Sequence, residues 1–126
     1  MKRYKFTNEK IFQASVQCLT FLQNEEVSIL VKYKLNQIYL SLNKVIEPYI
    51  KLRDELVKQY MDANNILSPT LEDGSINPKY TEFSKKIEPI NKELNEFECY
   101  SFPISIIADV KSSRYYPDLF EFFTLD

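Results

Sequence analysis

Apolar residues recur along this chain with a period of seven, stepping alternately by four and three. Val31, Leu35, Ile38, Leu42, Val45, Tyr49, Leu52 and Leu56 hold that beat in one stretch, and Tyr80, Phe83, Ile87, Ile90, Leu94 and Phe97 hold it in a second. Side chains that return every 3.5 residues stay on one line of a slightly underwound helix, which is the seam of a coiled coil. The linker between the two stretches contains the chain's only glycine. The two seams are therefore expected to zip together as an antiparallel helical hairpin.

Shorter signals surround the hairpin. Tyr4 and Phe6 share one face of an expected strand at residues 2–6, and Thr7 reads as the N-cap of a helix reaching about residue 22, with Ile11, Phe12, Val16, Leu19 and Leu22 at helical spacing. Ser28 reads as the cap of the long helix that follows, expected over residues 28–63 and interrupted only by Pro48. Asp73-Gly74 is a turn signal, since glycine accepts positive φ and aspartate tolerates it, and Leu71 and Ile76 flank it as a minimal hairpin. Pro78 suits the first turn of the next helix, expected over residues 79–98.

Beyond it, Tyr100, Phe102, Ile104 and Ile106 alternate with Ser101, Pro103 and Ser105, a half-buried strand pattern in which Pro103 points to an edge or a bulge. Pro117 then opens a short terminal helix. The predicted fold is mainly α with a minor α+β component. It is an antiparallel coiled-coil helical hairpin with an additional N-terminal helix and a small two-stranded sheet from the termini, in a single domain over residues 1–126.

Ile46-Glu47-Pro48 recurs as Ile87-Glu88-Pro89, each with a lysine three residues on. A proline inside a helix removes a hydrogen bond and clashes with the preceding turn, at about 3 kcal/mol. With Tyr60 facing Tyr80, Pro48 lies opposite Lys92 and Pro89 opposite Lys51, so the pair is expected to kink both helices together. The alternative is that one proline starts a new helix segment.

Composition narrows the functional classes. Of the 126 residues 44% are hydrophobic and 27% charged, and a net charge of −2 gives no general attraction to nucleic acid or anionic lipid. No stretch approaches the ~20 apolar residues of a membrane span, and the polar residues after Met1-Lys2-Arg3 do not form a signal peptide, so the chain reads as intracellular. Histidine is absent, which removes the usual general base and the commonest metal ligand. Cys18 and Cys99 are too few and too far apart for a disulfide framework or a zinc site, and read as small buried apolar residues.

The carboxylates at Glu25-Glu26, Asp54-Glu55 and Glu93 with Glu96 and Glu98 lack catalytic or metal spacing and read as solvated helix faces. Glu72-Asp73-Gly74-Ser75 lacks the alternating oxygens and closing glutamate of a calcium loop. Lys32 and Lys34 around Tyr33 make too weak a basic patch for nucleic acid. No cofactor and no enzymatic activity are expected.

The C-terminal segment is richer in signal. Tyr115, Tyr116, Leu119, Phe120, Phe122 and Phe123 crowd into nine residues, and aromatics of this kind either anchor a partner or plug the open end of the hairpin over Tyr4 and Phe6. Both readings stand at this point. Ile50, Val57 and Leu40 fall outside the seam and hint at self-association.

The order of parts resembles a family of small tailed-phage proteins of unassigned function. The matching pieces are Lys5-Phe6-Thr7-Asn8-Glu9, the helix through Lys51-Leu52-Arg53-Asp54-Glu55-Leu56, the acidic-glycine turn Glu72-Asp73-Gly74, the second helix from Phe83 to Glu98, and Pro117-Asp118-Leu119-Phe120. The paired Ile-Glu-Pro segments and the many tyrosines depart from that pattern. The resemblance implies a phage protein located in the virion or the host cytoplasm, and it supplies no catalytic residues. A hairpin of coiled helices also looks like a prefoldin subunit, although only residues 71–76 could supply its assembly strands.

The expected function is that of a non-enzymatic interaction protein, either a virion or assembly component or an inhibitor of a host factor. It would act on a phage or host protein, with homo-oligomers an option and no membrane. A prefoldin-like chaperone or a nucleic-acid accessory module is the alternative.

Overall fold

The computed structural model describes residues 1–107 and 116–124. Their elements run β1 (Lys2–Thr7), α1 (Asn8–Asn24), α2 (Ile29–Val45), α3 (Glu47–Tyr60), α4 (Pro78–Asn91), β2 (Leu94–Cys99), β3 (Phe102–Pro103), a 3-10 turn (Ile104–Ile107), α5 (Pro117–Phe120) and β4 (Phe123–Thr124). The fold is mainly α with minor β. The chain divides into two compact units, Met1–Ile46 with Leu94–Asp126, and Glu47–Glu93.

In the first unit the local start signals act as the sequence predicts. Thr7 Oγ1 accepts from Lys10 N at 3.2 Å and Ser28 Oγ accepts from Val31 N at 3.3 Å, so each cap satisfies a backbone donor that its helix leaves open. α2 then turns Val31, Leu35, Ile38 and Leu42 inward against α1, and all four are buried.

The α1 side of that contact differs from the expected stripe. Its buried residues are Asn8, Ile11, Ala14, Ser15, Cys18 and Phe21, whereas Val16 and Leu19 are exposed. Small side chains at Ala14, Ser15 and Cys18 let the α2 backbone come close. Cys18 Sγ donates to Leu35 O at 3.4 Å, and Ser15 Oγ donates to Asn43 Oδ1 at 2.7 Å.

The small sheet exists with a different second strand. β1 pairs antiparallel with β2, from Lys2 opposite Cys99 to Thr7 opposite Leu94. The helix that the sequence predicts over residues 79–98 corresponds to α4, which ends at Asn91, and Leu94 and Phe97 belong to a strand. Glu96-Phe97-Glu98-Cys99 alternates polar and buried apolar residues, which fits a strand with one covered face better than a continued helix. The strand expected from Tyr100 shrinks to Phe102–Pro103, because Pro103 has no N–H to extend a ladder and a 3-10 turn follows.

The aromatic tail closes this unit. Phe122 is fully buried in a cage of rings, with centroids 4.7 Å from Tyr4, 5.7 Å from Phe6 and 6.3 Å from Phe97. Tyr116 meets Phe21 edge-on at 5.0 Å. Gln17 on α1 grips the start of α5: its Oε1 accepts from Asp118 N at 2.9 Å and Leu119 N at 3.1 Å, and its Nε2 donates to Asp118 Oδ2 at 2.8 Å. β4 then lies parallel to β3, Phe102 opposite Phe123.

In the second unit α3 and α4 pack together across a loop. Tyr49, Tyr60, Phe83 and Ile87 are its buried apolar residues, while Leu56 and Ile90 are half-buried and Leu52 is exposed. Tyr49 Oη donates to Asn91 Oδ1 at 2.6 Å, which is the register that Tyr60 facing Tyr80 implies. At the tip, Gly74 takes φ +85°, and Asp73 Oδ1 accepts from Ser75 N and Ser75 Oγ at 3.0 and 2.6 Å. Thr70 and Ile76 form one antiparallel bridge there. Asn77 caps α4 through Lys79 N, with Pro78 in the first turn.

The prolines do not form a matched kink. Ile46 ends α2 with φ −103° and ψ 17°, and Pro48 stands second in α3, where a missing N–H costs nothing. Pro89 sits in the last turn of α4. The long helix expected over residues 28–63 is thus two helices, and the first half of its seam, from Val31 to Leu42, is buried within the first unit.

The ring cage makes a quantitative expectation. Phe122→Ala should lower stability by about 3–5 kcal/mol, the usual range for truncating a buried phenylalanine. Phe120→Ala, at a half-buried position, should cost distinctly less. Urea unfolding of both variants checks the contrast.

Candidate interaction surface

Of the tail residues that could anchor a partner or plug the fold, Tyr116, Leu119, Phe122 and Phe123 are buried and Phe120 is half-buried; Tyr115 lies outside the described residues. Phe123 meets Phe120 edge-on at 5.7 Å. Tyr116 Oη donates to Glu25 Oε1 at 3.2 Å, and Lys10 reaches Asp118 and Glu121 at 3.6 and 3.5 Å.

The seam residues divide by position. Leu35, Ile38 and Leu42 are fully buried, Val45 is half-buried, and Tyr49, Phe83 and Ile87 are buried in the second unit. Leu94, placed in β2, is exposed. The buried ones among them build the fold. Of the residues outside the seam, Ile50 and Val57 are half-buried and Leu40 is exposed.

Leu40 belongs to a larger feature that the sequence reading missed. On α2, Ile29, Leu30, Tyr33 and Leu40 are 83%, 60%, 62% and 65% exposed. At about 100° per residue these four fall on one arc of roughly a quarter turn, opposite the stripe of Val31, Leu35, Ile38 and Leu42. Gln37, half-buried, and Lys44, exposed, lie on the same arc. Leu30, Tyr33, Gln37 and Leu40 step by three, four and three, a short seam of their own. That spacing was available in the sequence; the stronger inward seam on the same helix masked it.

The chemistry of the remaining groups is muted. Cys18 and Cys99 are free, buried thiols. Burial pushes Cys18 up to about 12, with the nearby Cys99 adding to the effect, and burial likewise raises Cys99 to about 11. Both are therefore protonated near neutrality and poor nucleophiles. Lys34 Nζ lies 5.2 Å over the Phe102 ring, which engages half of the small basic patch.

In the second unit an open cleft of about 760 Å³ is lined by loop and helix-end residues including Asp62, Ile66, Leu71 and Lys79. Among the described residues no three His, Cys, Asp or Glu side chains converge as a metal site, and no helix is long and apolar enough to cross a membrane.

The thiols set a pH dependence. Both pKa values are raised from the ordinary 9.0 by folding, so the folded state holds protons that the unfolded state releases. Their contribution to stability is complete below pH ~9 and is lost as the pH rises toward 11–12. Thermal unfolding across pH 8–11 should show a falling midpoint, blunted in a Cys18→Ala variant relative to its own value at pH 8. An aromatic disulfide reagent should label neither thiol in the folded protein at neutral pH.

No family model matches the chain, and neither the curated proteins nor the solved structures give a match to it.

Proposed function

We propose that this chain is a non-enzymatic interaction protein of phage type that works by binding another protein, as a virion or assembly component or as an inhibitor of a host factor. The observation that supports this reading is the outer face of α2, where Ile29, Leu30, Tyr33 and Leu40 are exposed together. Contiguous exposed apolar patches of several hundred Å² mark interaction sites, because a surface of that kind costs free energy until something covers it. The binding surface is thus assigned to α2, and the C-terminal aromatics serve to hold the fold.

The chemistry of the described side chains agrees with binding in place of catalysis. The two thiols are protonated and buried, and the chain has no histidine. The phage assignment rests on the resemblance carried by Lys5-Phe6-Thr7-Asn8-Glu9, Glu72-Asp73-Gly74 and Pro117-Asp118-Leu119-Phe120. The virion and the host cytoplasm are the compartments it implies.

Cross-linking in infected cells tests the reading, with Leu30→Lys/Leu40→Lys compared against the parent chain. The expected result is that the parent forms specific protein adducts and the double variant loses them while unfolding at the same urea concentration. Adducts unchanged by the double substitution would remove α2 from the binding surface.

A further inference from the structure

We propose that the outer face of α2 binds the same face of a second copy of this chain, antiparallel about a two-fold axis that crosses the helix pair at the level of residue 35, on the side away from α1. This rests on the reading that α2 is the binding surface and names its occupant. A two-fold contact must be self-complementary, so that each residue meets its symmetry mate's counterpart. α2 meets that requirement in one register. With residue i opposite residue 70 − i, Leu30 meets Leu40, Tyr33 meets Gln37, and the exposed Glu26 meets the exposed Lys44, each pair occurring twice. The three-four-three spacing keeps Leu30, Tyr33, Gln37 and Leu40 on one seam, with Lys44 one turn beyond it on α2 and Glu26 in the segment just ahead of the helix.

Charge selects the direction. α2 carries Lys32, Lys34 and Lys44 and no acidic residue. A parallel pairing in register would set Lys44 against Lys44, whereas the antiparallel one sets it against Glu26 just ahead of the partner helix. Like charges face to face destabilise an interface and opposite charges fix its register.

Area is consistent with the same occupant. The four exposed apolar side chains offer roughly 500 Å² on each copy, so mutual coverage approaches the ~1,000 Å² at which specific interfaces begin. The geometry therefore points to a modest dimer, formed at micromolar concentrations and dissociated by a single charge on the seam.

Single-cysteine cross-linking reads out both occupant and direction, because Cys18 and Cys99 are buried with raised pKa values and stay silent. Leu30→Cys and Leu40→Cys chains are made separately and mixed under mild oxidation. The expected result is a disulfide-linked dimer in the mixture and little in either variant alone. Sedimentation velocity of the parent should show a dimer that Leu40→Glu converts to monomer, and the Lys44→Glu dimer should be weakened and then restored by Glu26→Lys.

Linkage within Leu30→Cys alone would overturn the antiparallel arrangement. A parent that remains monomeric at about 100 µM would overturn the second copy as occupant. That last outcome leaves the cross-linking of other proteins in infected cells free to succeed or fail by itself, so the two readings are separable.

Discussion

Phe122 packs into the rings of Tyr4, Phe6 and Phe97, and the organisation of the first unit depends on this contact. A two-stranded sheet is marginal in water by itself, since one face must be covered before its hydrogen bonds hold. β1 and β2 come from distant parts of the chain, pairing Lys2 with Cys99 and Thr7 with Leu94, so closing that loop carries an entropic cost which local interactions do not offset. The cover is a residue near the chain's end, held in place by Gln17 on α1 through three hydrogen bonds. Sheet, α1 and tail thus stabilise one another, and none of them is an independent module.

That interdependence decides what is left for binding. An aromatic-rich tail is ambiguous from composition, because rings that anchor a partner and rings that fill a core have the same chemistry. Here two of the tail rings pack inward: Phe122 lies among Tyr4, Phe6 and Phe97, and Tyr116 meets Phe21 edge-on. One buried polar detail follows from the same crowding: burial raises the Tyr4 phenol above its ordinary value, and the Ser101 hydroxyl beside it works in the opposite direction.

How far the sequence could be read depended on the range of each signal. Thr7, Ser28, Asp73-Gly74 and Pro78 were legible because a cap or a turn is settled within four residues by hydrogen bonds to its own backbone. The seam correctly marked Leu35, Ile38 and Leu42 as buried, yet a heptad names a face and not what covers it. α1 was misread because the residues that admit α2 closely, Ala14, Ser15 and Cys18, carry little hydrophobic weight, while the exposed Val16 and Leu19 carry much. β2 reads as helix from the sequence because Leu94 and Phe97 satisfy a step of three, while the alternation that marks the strand rests on Phe97 and Cys99 alone, between Glu96 and Glu98. The outer face of α2 was visible only as the stray Leu40, since two apolar stripes on one helix blur each other's period.

α2 therefore joins folding to binding through opposite sides of one element. Its inner residues, Val31, Leu35, Ile38 and Leu42, fix the helix against α1, and Cys18 and Cys99 bond to it through Leu35 O and Ser41. A helix held along its whole inner edge presents its outer side chains with the backbone already ordered, so the association proposed for that face sacrifices little further backbone entropy. The same rigidity separates the consequences of substitution. A change on the inner stripe acts first on stability, and a change at Leu30, Tyr33 or Leu40 acts on association with the fold intact, because those side chains are mostly exposed.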